Sequence, residues 1–400
     1  MVWAGDQEMA QTDSDRMAAQ ATAREALQAL GRGFDVTLDL RLAYCKGPSG
    51  SHIIEFDEEA NLDLVIPGGA AIIPNVSRDI RCEKGERKHF RSDVLPFHQM
   101  AERFNEALNI YGKVPLGLFN TMFSFNGTWQ SDASATKALA VDCWVISLYN
   151  MQISKTPKNL KEEVKKAVPP FWEPAALARF IEKYGTHIIM SVKIGGKDVV
   201  YLRQYQSSTL SPEEIKRYLR EIADQRFAEG SGHDISNMQS KDQSSTLSPE
   251  EIKRYLREIA DQRFAEGSGQ GISNMQSKEK SSDPLTFANT HTSTSFKAKG
   301  DVEVIFRRRG GDCTVKHHSD WLATVPSSPD VVAMTFIPIT SLLNEVPGSG
   351  LLSHAINLYL RYKPCSSSWN FRFLDSGLQV LTCQLSPREK NLYVLHCNSA

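Results

Sequence analysis

The spacing of apolar and polar positions already divides the chain into helical and extended stretches. Met17–Leu30 follows a helical pattern closed by Gly31, and Phe97, Met100, Ala101, Phe104 and Leu108 share one face of a helix over 97–108. Leu160–Val168 and Pro174–Tyr184 keep the same period, with Pro174 suited to a first turn. Ala138–Ile153, rich in Val, Ile, Trp and Tyr, predicts a strand, and Phe34–Cys45 alternates well enough to predict another. Ile188–Val192 and Val199–Tyr205 read as two strands separated by Gly195-Gly196. Val302–Arg309 reads as a strand that ends at Gly310-Gly311. Helices at Trp321–Val325 and His354–Tyr362 flank an extended Val331–Ile339, while the polar, acidic residues 1–16 read as a disordered extension.

A tandem repeat interrupts this plan. Gln206–Lys241 recurs as Gln243–Lys278, identical at 34 of 36 positions, so that the duplication occupies 206–279. Identity on exposed as well as buried positions, in two copies only, points to a recent duplication or a gene-model artefact rather than a solenoid. Each copy encodes one amphipathic helix. In the first, Ser211-Pro212-Glu213-Glu214 supplies an N-cap, a first-turn proline and an acidic first turn, and Ile215, Tyr218, Leu219 and Ile222 form one face.

Composition narrows function by exclusion. Hydrophobic residues make up 41% and charged residues 23%, an ordinary globular balance, and Lys+Arg 46 against Asp+Glu 47 leaves a net charge of -1. That is not the basic footprint of a nucleic-acid binder. The first residues reach acidic positions too early for a secretory signal, and no apolar run approaches the ~18 residues of a membrane helix, so the chain reads as cytoplasmic. Seven widely spaced cysteines without a CxxC read as reduced thiols; Cys365, Cys383, His396 and Cys397 match no usual zinc spacing. The chain holds no phosphate-binding glycine loop, nucleophile elbow or H-E-x-x-H, so no catalytic residue, metal ligand or cofactor is assigned. Arg307-Arg308-Arg309 alternate faces on a strand and read as scattered surface positions.

One motif is specific. Tyr184-Gly185-Thr186-His187, followed by Gly195-Gly196, resembles the signature of the membrane attack complex/perforin family. The likeness extends to Gly31–Thr37, Leu42–Gly47, Val302–Asp312, Pro329–Phe336 and Ala355–Pro364, which resemble the plant branch. The resemblance implies an α+β fold over 17–364, a bent, twisted, four-stranded antiparallel sheet flanked by two helical clusters near 96–137 and 206–298. In pore-forming relatives these clusters unfurl into membrane hairpins. It also implies a non-enzymatic regulator of programmed cell death, the hypersensitive response and salicylic-acid-linked immunity. Membrane lipid, further copies of the chain and unidentified proteins are the implied partners, and the place of action is the cytoplasm or the periphery of the plasma membrane. The alternative is a soluble interaction protein that keeps the fold without insertion. After Pro364 the likeness stops, leaving 365–400 as a divergent tail.

Within this frame Gly195, Gly196, Gly310 and Gly311 are the expected sheet hinge. His187 is expected to be a buried histidine bonded to backbone. Val114–Ser131 carries no charge over 18 positions, with Phe119, Phe123, Phe125 and Trp129 on one parity and Asn120, Ser124, Asn126, Thr128 and Gln130 on the other. On a strand this is a lipid-facing side opposite a wet one. In the resting state the same aromatics are expected to pack a soluble core.

Overall fold

The computed structural model describes residues 4–48, 50–56, 61–67, 71–125, 127–155, 157, 159–228, 291–298 and 302–362. The second repeat copy and the tail 365–400, with the zinc spacing considered there, lie outside these residues. The chain divides into two compact units, 1–228 with 290–400, and 229–289; the first of them holds the sheet.

Two long strands organise it. Thr136–Ile153 (β6) and His187–Tyr205 (β7) pair antiparallel along nearly their whole length, from Thr136↔Tyr205 to Gln152↔Ser191. Each changes its outer partner part-way. β7 pairs with Val302–Arg309 (β9) over Lys197–Gln204, then with Asp330–Pro338 (β10) over His187–Gly195. β6 pairs with Arg87–Arg91 (β5) over Asp142–Ile146, then with Ile80–Lys84 (β4) over Tyr149–Ile153. Both changes fall at one level of the sheet, marked by Gly195-Gly196 in β7 and a register shift between Ser147 and Tyr149 in β6. His291–Ala298 (β8) pairs with β9, giving the path β6-β7-β9-β8, with every pairing antiparallel. Gly33–Phe34 (β1) joins the start of β7, and Asn61–Ile66 (β2) with Ala71–Ser77 (β3) forms a separate ribbon.

Several expectations change. The two strands predicted around Gly195-Gly196 are one, because both glycines keep their ladder partners, Ser147 and Ile146. Phe34–Cys45 is not a strand beyond Phe34. The Asp35 carboxylate accepts from the Thr37 N–H (3.0 Å) and hydroxyl (2.6 Å), turning the chain toward a short 3₁₀ helix at Leu42–Tyr44. The first helix (α1) spans Ala4–Ala29, so helical backbone begins inside the segment read as a disordered extension. Extending a helix already nucleated is easier than starting one. The expected helices are present at Phe97–Ala107 (α2), Glu162–Lys166 (α5), Pro174–Tyr184 (α6), His318–Thr324 and Ser349–Tyr362.

Between α2 and β6, Gly117–Met122 (α3) and Trp129–Ala135 (α4) fill the first cluster. Pro212–Phe227 (α7) is the described helix of the second, and its Ser211–Glu214 capping box is formed in both directions. Apolar burial falls into three groups among the described residues. The largest lies between one sheet face and α1, α2 and α3, a second surrounds α6 and the Ser349–Tyr362 helix, and a third is closed by α7 on the other sheet face.

Candidate functional site

The signature residues form a junction. Tyr184 ends α6, and Gly185 follows with φ +80°, a left-handed turn in which an added Cβ would lie 2.6 Å from the Phe34 backbone. Thr186 is fully buried. Its N–H donates to the Phe34 carbonyl (2.9 Å), its own carbonyl accepts from Ile339 (3.1 Å), and its hydroxyl stands 3.0 Å from His187 Nδ1. His187 is therefore buried as expected, but bonded to a hydroxyl rather than to backbone. Burial pulls its pKa from 6.5 to about 4, with Asp35 opposing weakly, so the imidazole is neutral at physiological pH. The motif ties α6, β1, β7 and β10 together.

The four expected hinge glycines meet where the strands change partners. A Cβ on Gly195 would stand 1.9 Å from the Ile146 carbonyl oxygen, and one on Gly196 2.8 Å from Val325. Gly310 and Gly311 both have φ +68°, which turns the chain out of β9, and the Trp321 indole N–H donates to the Gly310 carbonyl at 2.8 Å. The close approach of Gly310 to Gly195 was not readable from spacing, since 115 positions separate them in the chain.

Phe119, Phe123 and Phe125 are core residues in this state, each 3% exposed or less. Phe119 in α3 and Phe123, the residue that caps its C-terminus, pack with each other and with Phe97, Phe104 and Tyr201, ring centroids 5.1–6.1 Å apart. Trp129 begins α4 and is half-buried, its ring 5.8 Å from that of His98. The parity seen in the sequence is thus not a surface property of the folded chain.

The arginine triplet of β9 is a correction. Its side chains alternate as expected, but Arg308 and Arg309 are 5% exposed and all three anchor neighbouring segments. Arg307 donates to the Met122 carbonyl (3.2 Å) and the Ser124 hydroxyl (2.9 Å) of the first cluster. Arg309 donates to the Leu40 carbonyl (2.5 Å) and Asp39 (2.6 Å). Arg308, on the opposite face, donates to Asp198 Oδ2 (2.8 Å) and to the Val315 and Lys316 carbonyls. Asp198 has no exposed surface and also receives His318 and, from α7, Arg226. Burial alone would push its carboxyl up; the His318 hydrogen bond with the Arg226 and Arg308 charges outweighs that and holds it below the ordinary carboxylate value. No periodicity signals this set, because its members come from β7, α7, β9 and the following helix.

Lys197 is also buried, beside Arg309. Burial, and then the Arg309 charge, lower its pKa from 10.5 to about 8. Among the described residues no group of three or more His, Cys, Asp or Glu is placed to hold a metal ion, and no helix is long and apolar enough to cross a membrane.

Residues 17–368 match the MAC/Perforin domain model. Over 352 residues the chain is 48% identical to the MACPF domain-containing protein At4g24290 of Arabidopsis thaliana, covering 87% of this chain and 53% of the relative. It is 42% identical over 358 residues to the Arabidopsis MACPF domain-containing protein CAD1, covering 90% and 54%. The chain spans about half the length of these curated relatives. Among solved structures, GNIP1Aa from Chromobacterium piscinae superposes with a TM-score of 0.47 at 10% identity, covering 84% of this chain and 56% of that one.

Proposed function

Since this chain belongs to the MAC/perforin domain family, we propose that it is a non-enzymatic negative regulator of programmed cell death and innate immunity on the salicylic-acid-linked route. It acts by associating with membrane lipid and assembling with further copies of itself, from the cytoplasm or the periphery of the plasma membrane. The observation that carries this reading is the 48% identity to a plant relative over 352 residues. The geometry supports the non-enzymatic part: His187 is buried and bonded to Thr186, and the Asp198 carboxylate is saturated by cations of its own fold. Both serve architecture.

Liposome sedimentation with dye leakage tests the membrane step, and lesion area after co-expression with a cell-death trigger in leaf tissue tests the regulatory one. Lipid-bound protein and smaller lesions are the expected outcome. Absence of both rejects the reading.

If the chain inserts, the first cluster leads. As a strand, Leu210–Glu229 places charges on both parities (Glu213, Arg217 and Glu221; Glu214, Lys216 and Arg220), and a midplane Arg or Lys costs ~2–4 kcal/mol, whereas Val114–Ser131 has none to bury. Environment-sensitive probes on Phe123→Cys and Ile215→Cys, in a background with the native cysteines replaced, are expected to show the Phe123 site turning apolar on liposomes. The reverse order rejects this. Silence at both favours the second reading, a soluble interaction protein that keeps the fold, for which the burial of Phe119, Phe123 and Phe125 speaks.

A further inference from the structure

We propose that the cavity beside Lys161 and residues 51–56 binds a free α-amino acid with an apolar side chain. It measures about 390 Å³ and is lined by His52, Ile54, Glu55, Phe56 and Lys161, a size suited to a small ligand. Backbone bonds fix its walls. The Lys161 N–H donates to the Ile53 carbonyl (2.9 Å), the Glu55 N–H donates to the Asn159 carbonyl (3.2 Å), and Ile54 pairs with Leu160 between them. Ile54 and Leu160 are both buried in the second apolar group, which roots the cavity in the folded core.

Three polar groups of different character line this one space. The His52 Nδ1–H donates to the Leu30 carbonyl at 2.6 Å, which fixes the tautomer and leaves Nε2 as an acceptor. Burial, with the Lys161 and Arg32 charges, lowers the His52 pKa against that hydrogen bond, so the imidazole is neutral at physiological pH. Lys161 Nζ donates to the Ser51 hydroxyl (3.2 Å) and forms no ion pair among the described residues. The exposed Glu55 carboxylate has no hydrogen bond among them either; Lys165, whose charge acts on it, is held by Glu162 at 2.7 Å.

An ammonium and a carboxylate thus line one cavity without pairing with each other. A simple anion would meet Lys161 but carry its charge toward Glu55, and a simple amine would meet Glu55 but carry its charge toward Lys161. An α-amino acid answers both, its carboxylate on Lys161 and its ammonium on Glu55 and His52 Nε2. Ile54 and Phe56 supply apolar wall for the side chain, and the Phe56 ring is braced edge-on by His52, centroids 4.8 Å apart.

Calorimetric titration of the full chain with L-leucine, L-methionine and L-phenylalanine, each to ~10 mM, tests this without lipid, so a failed membrane assay leaves it standing. Saturable binding at one site is expected for at least one of the three. The amide and the N-acetyl derivative of that amino acid, which keep one charge each, should bind at least tenfold more weakly. Glu55→Gln and Lys161→Met should each weaken binding at least tenfold, while Lys166→Met, an exposed cation of α5 outside the cavity, stays within twofold. The Glu55 side chain bonds nothing in the fold, so Glu55→Gln decides the matter if Lys161→Met does not fold. No saturable binding by any of the three, equal affinity for the single-charge derivatives, or wild-type affinity in Glu55→Gln overturns the proposal.

Discussion

Gly310 packs on the carbonyl of Gly195: a Cβ built on Gly310 would lie 2.3 Å from that oxygen, and its φ of +68° already disfavours any other residue. The contact sits where β7 exchanges β9 for β10, so it joins the two halves of the sheet. Gly310→Ala or Gly195→Val is expected to destabilise the protein by ~1–3 kcal/mol, read as a lower melting temperature. Gly350→Ala is the control. No atom lies within 4 Å of its added methyl, and as an exposed helical position it should be neutral or stabilising by ~0.5–1 kcal/mol. Equal melting temperatures for all three variants would reject the hinge.

His187 makes stability depend on acid. In the unfolded chain the imidazole takes its proton near 6.5, but in the fold only near 4. Between those values the unfolded chain binds more protons, so this contribution is complete above 6.5 and is lost as pH falls toward 4, by ~3 kcal/mol at most. Denaturant melts of His187→Gln should show a flatter acid limb than wild type from pH 6.5 to 4. A parallel limb would assign the acid sensitivity to other groups.

Lys197 follows the same sign at higher pH, as a buried ammonium the fold would hold more stably without. Its folded pKa near 8 lies below the ordinary 10.5, so below pH 8 the folded state carries the full cost of the buried charge. Lys197→Met is expected to raise stability at pH 7 by ~1–3 kcal/mol, with the gain shrinking as pH rises from 8 to 10.5. A less stable variant at pH 7 would show that the attraction from Asp39 and Asp330 outweighs burial.

The duplication offers a spare helix. Deleting Gln206–Asp242 brings Gln243–Lys278 into the position of the first copy, restoring Ile252, Leu256, Ala260 and Arg263 in place of Ile215, Leu219, Ala223 and Arg226. The shortened chain should fold, with a melting temperature within a few degrees of wild type. Failure to fold would mean that the copies are not interchangeable.

Local physics wrote the helices into the sequence. The apolar faces of α2, α6 and α7, the capping box at Ser211 and the first-turn Pro174 each act within a few residues, and the spacing of α7 alone identified Ile215 and Leu219 as inward-facing. The signature Tyr184–His187 was legible as a motif, and with it the α+β family fold. What the chain pattern left open were relations between distant segments. Phe34–Cys45 alternates like a strand, yet the turn around Asp35 and the single partner β7 offers at Gly33–Phe34 end it there. Gly195-Gly196 reads as a break, yet pairing with Ser147 and Ile146 on β6 carries β7 through it. Arg308 reads as surface until β7 brings Asp198 and α7 brings Arg226 to the same place. A hydrophobic period encodes which side of an element faces inward, whereas strand partners and buried ion pairs depend on which segments the closed sheet sets side by side. Only the tertiary structure decides that.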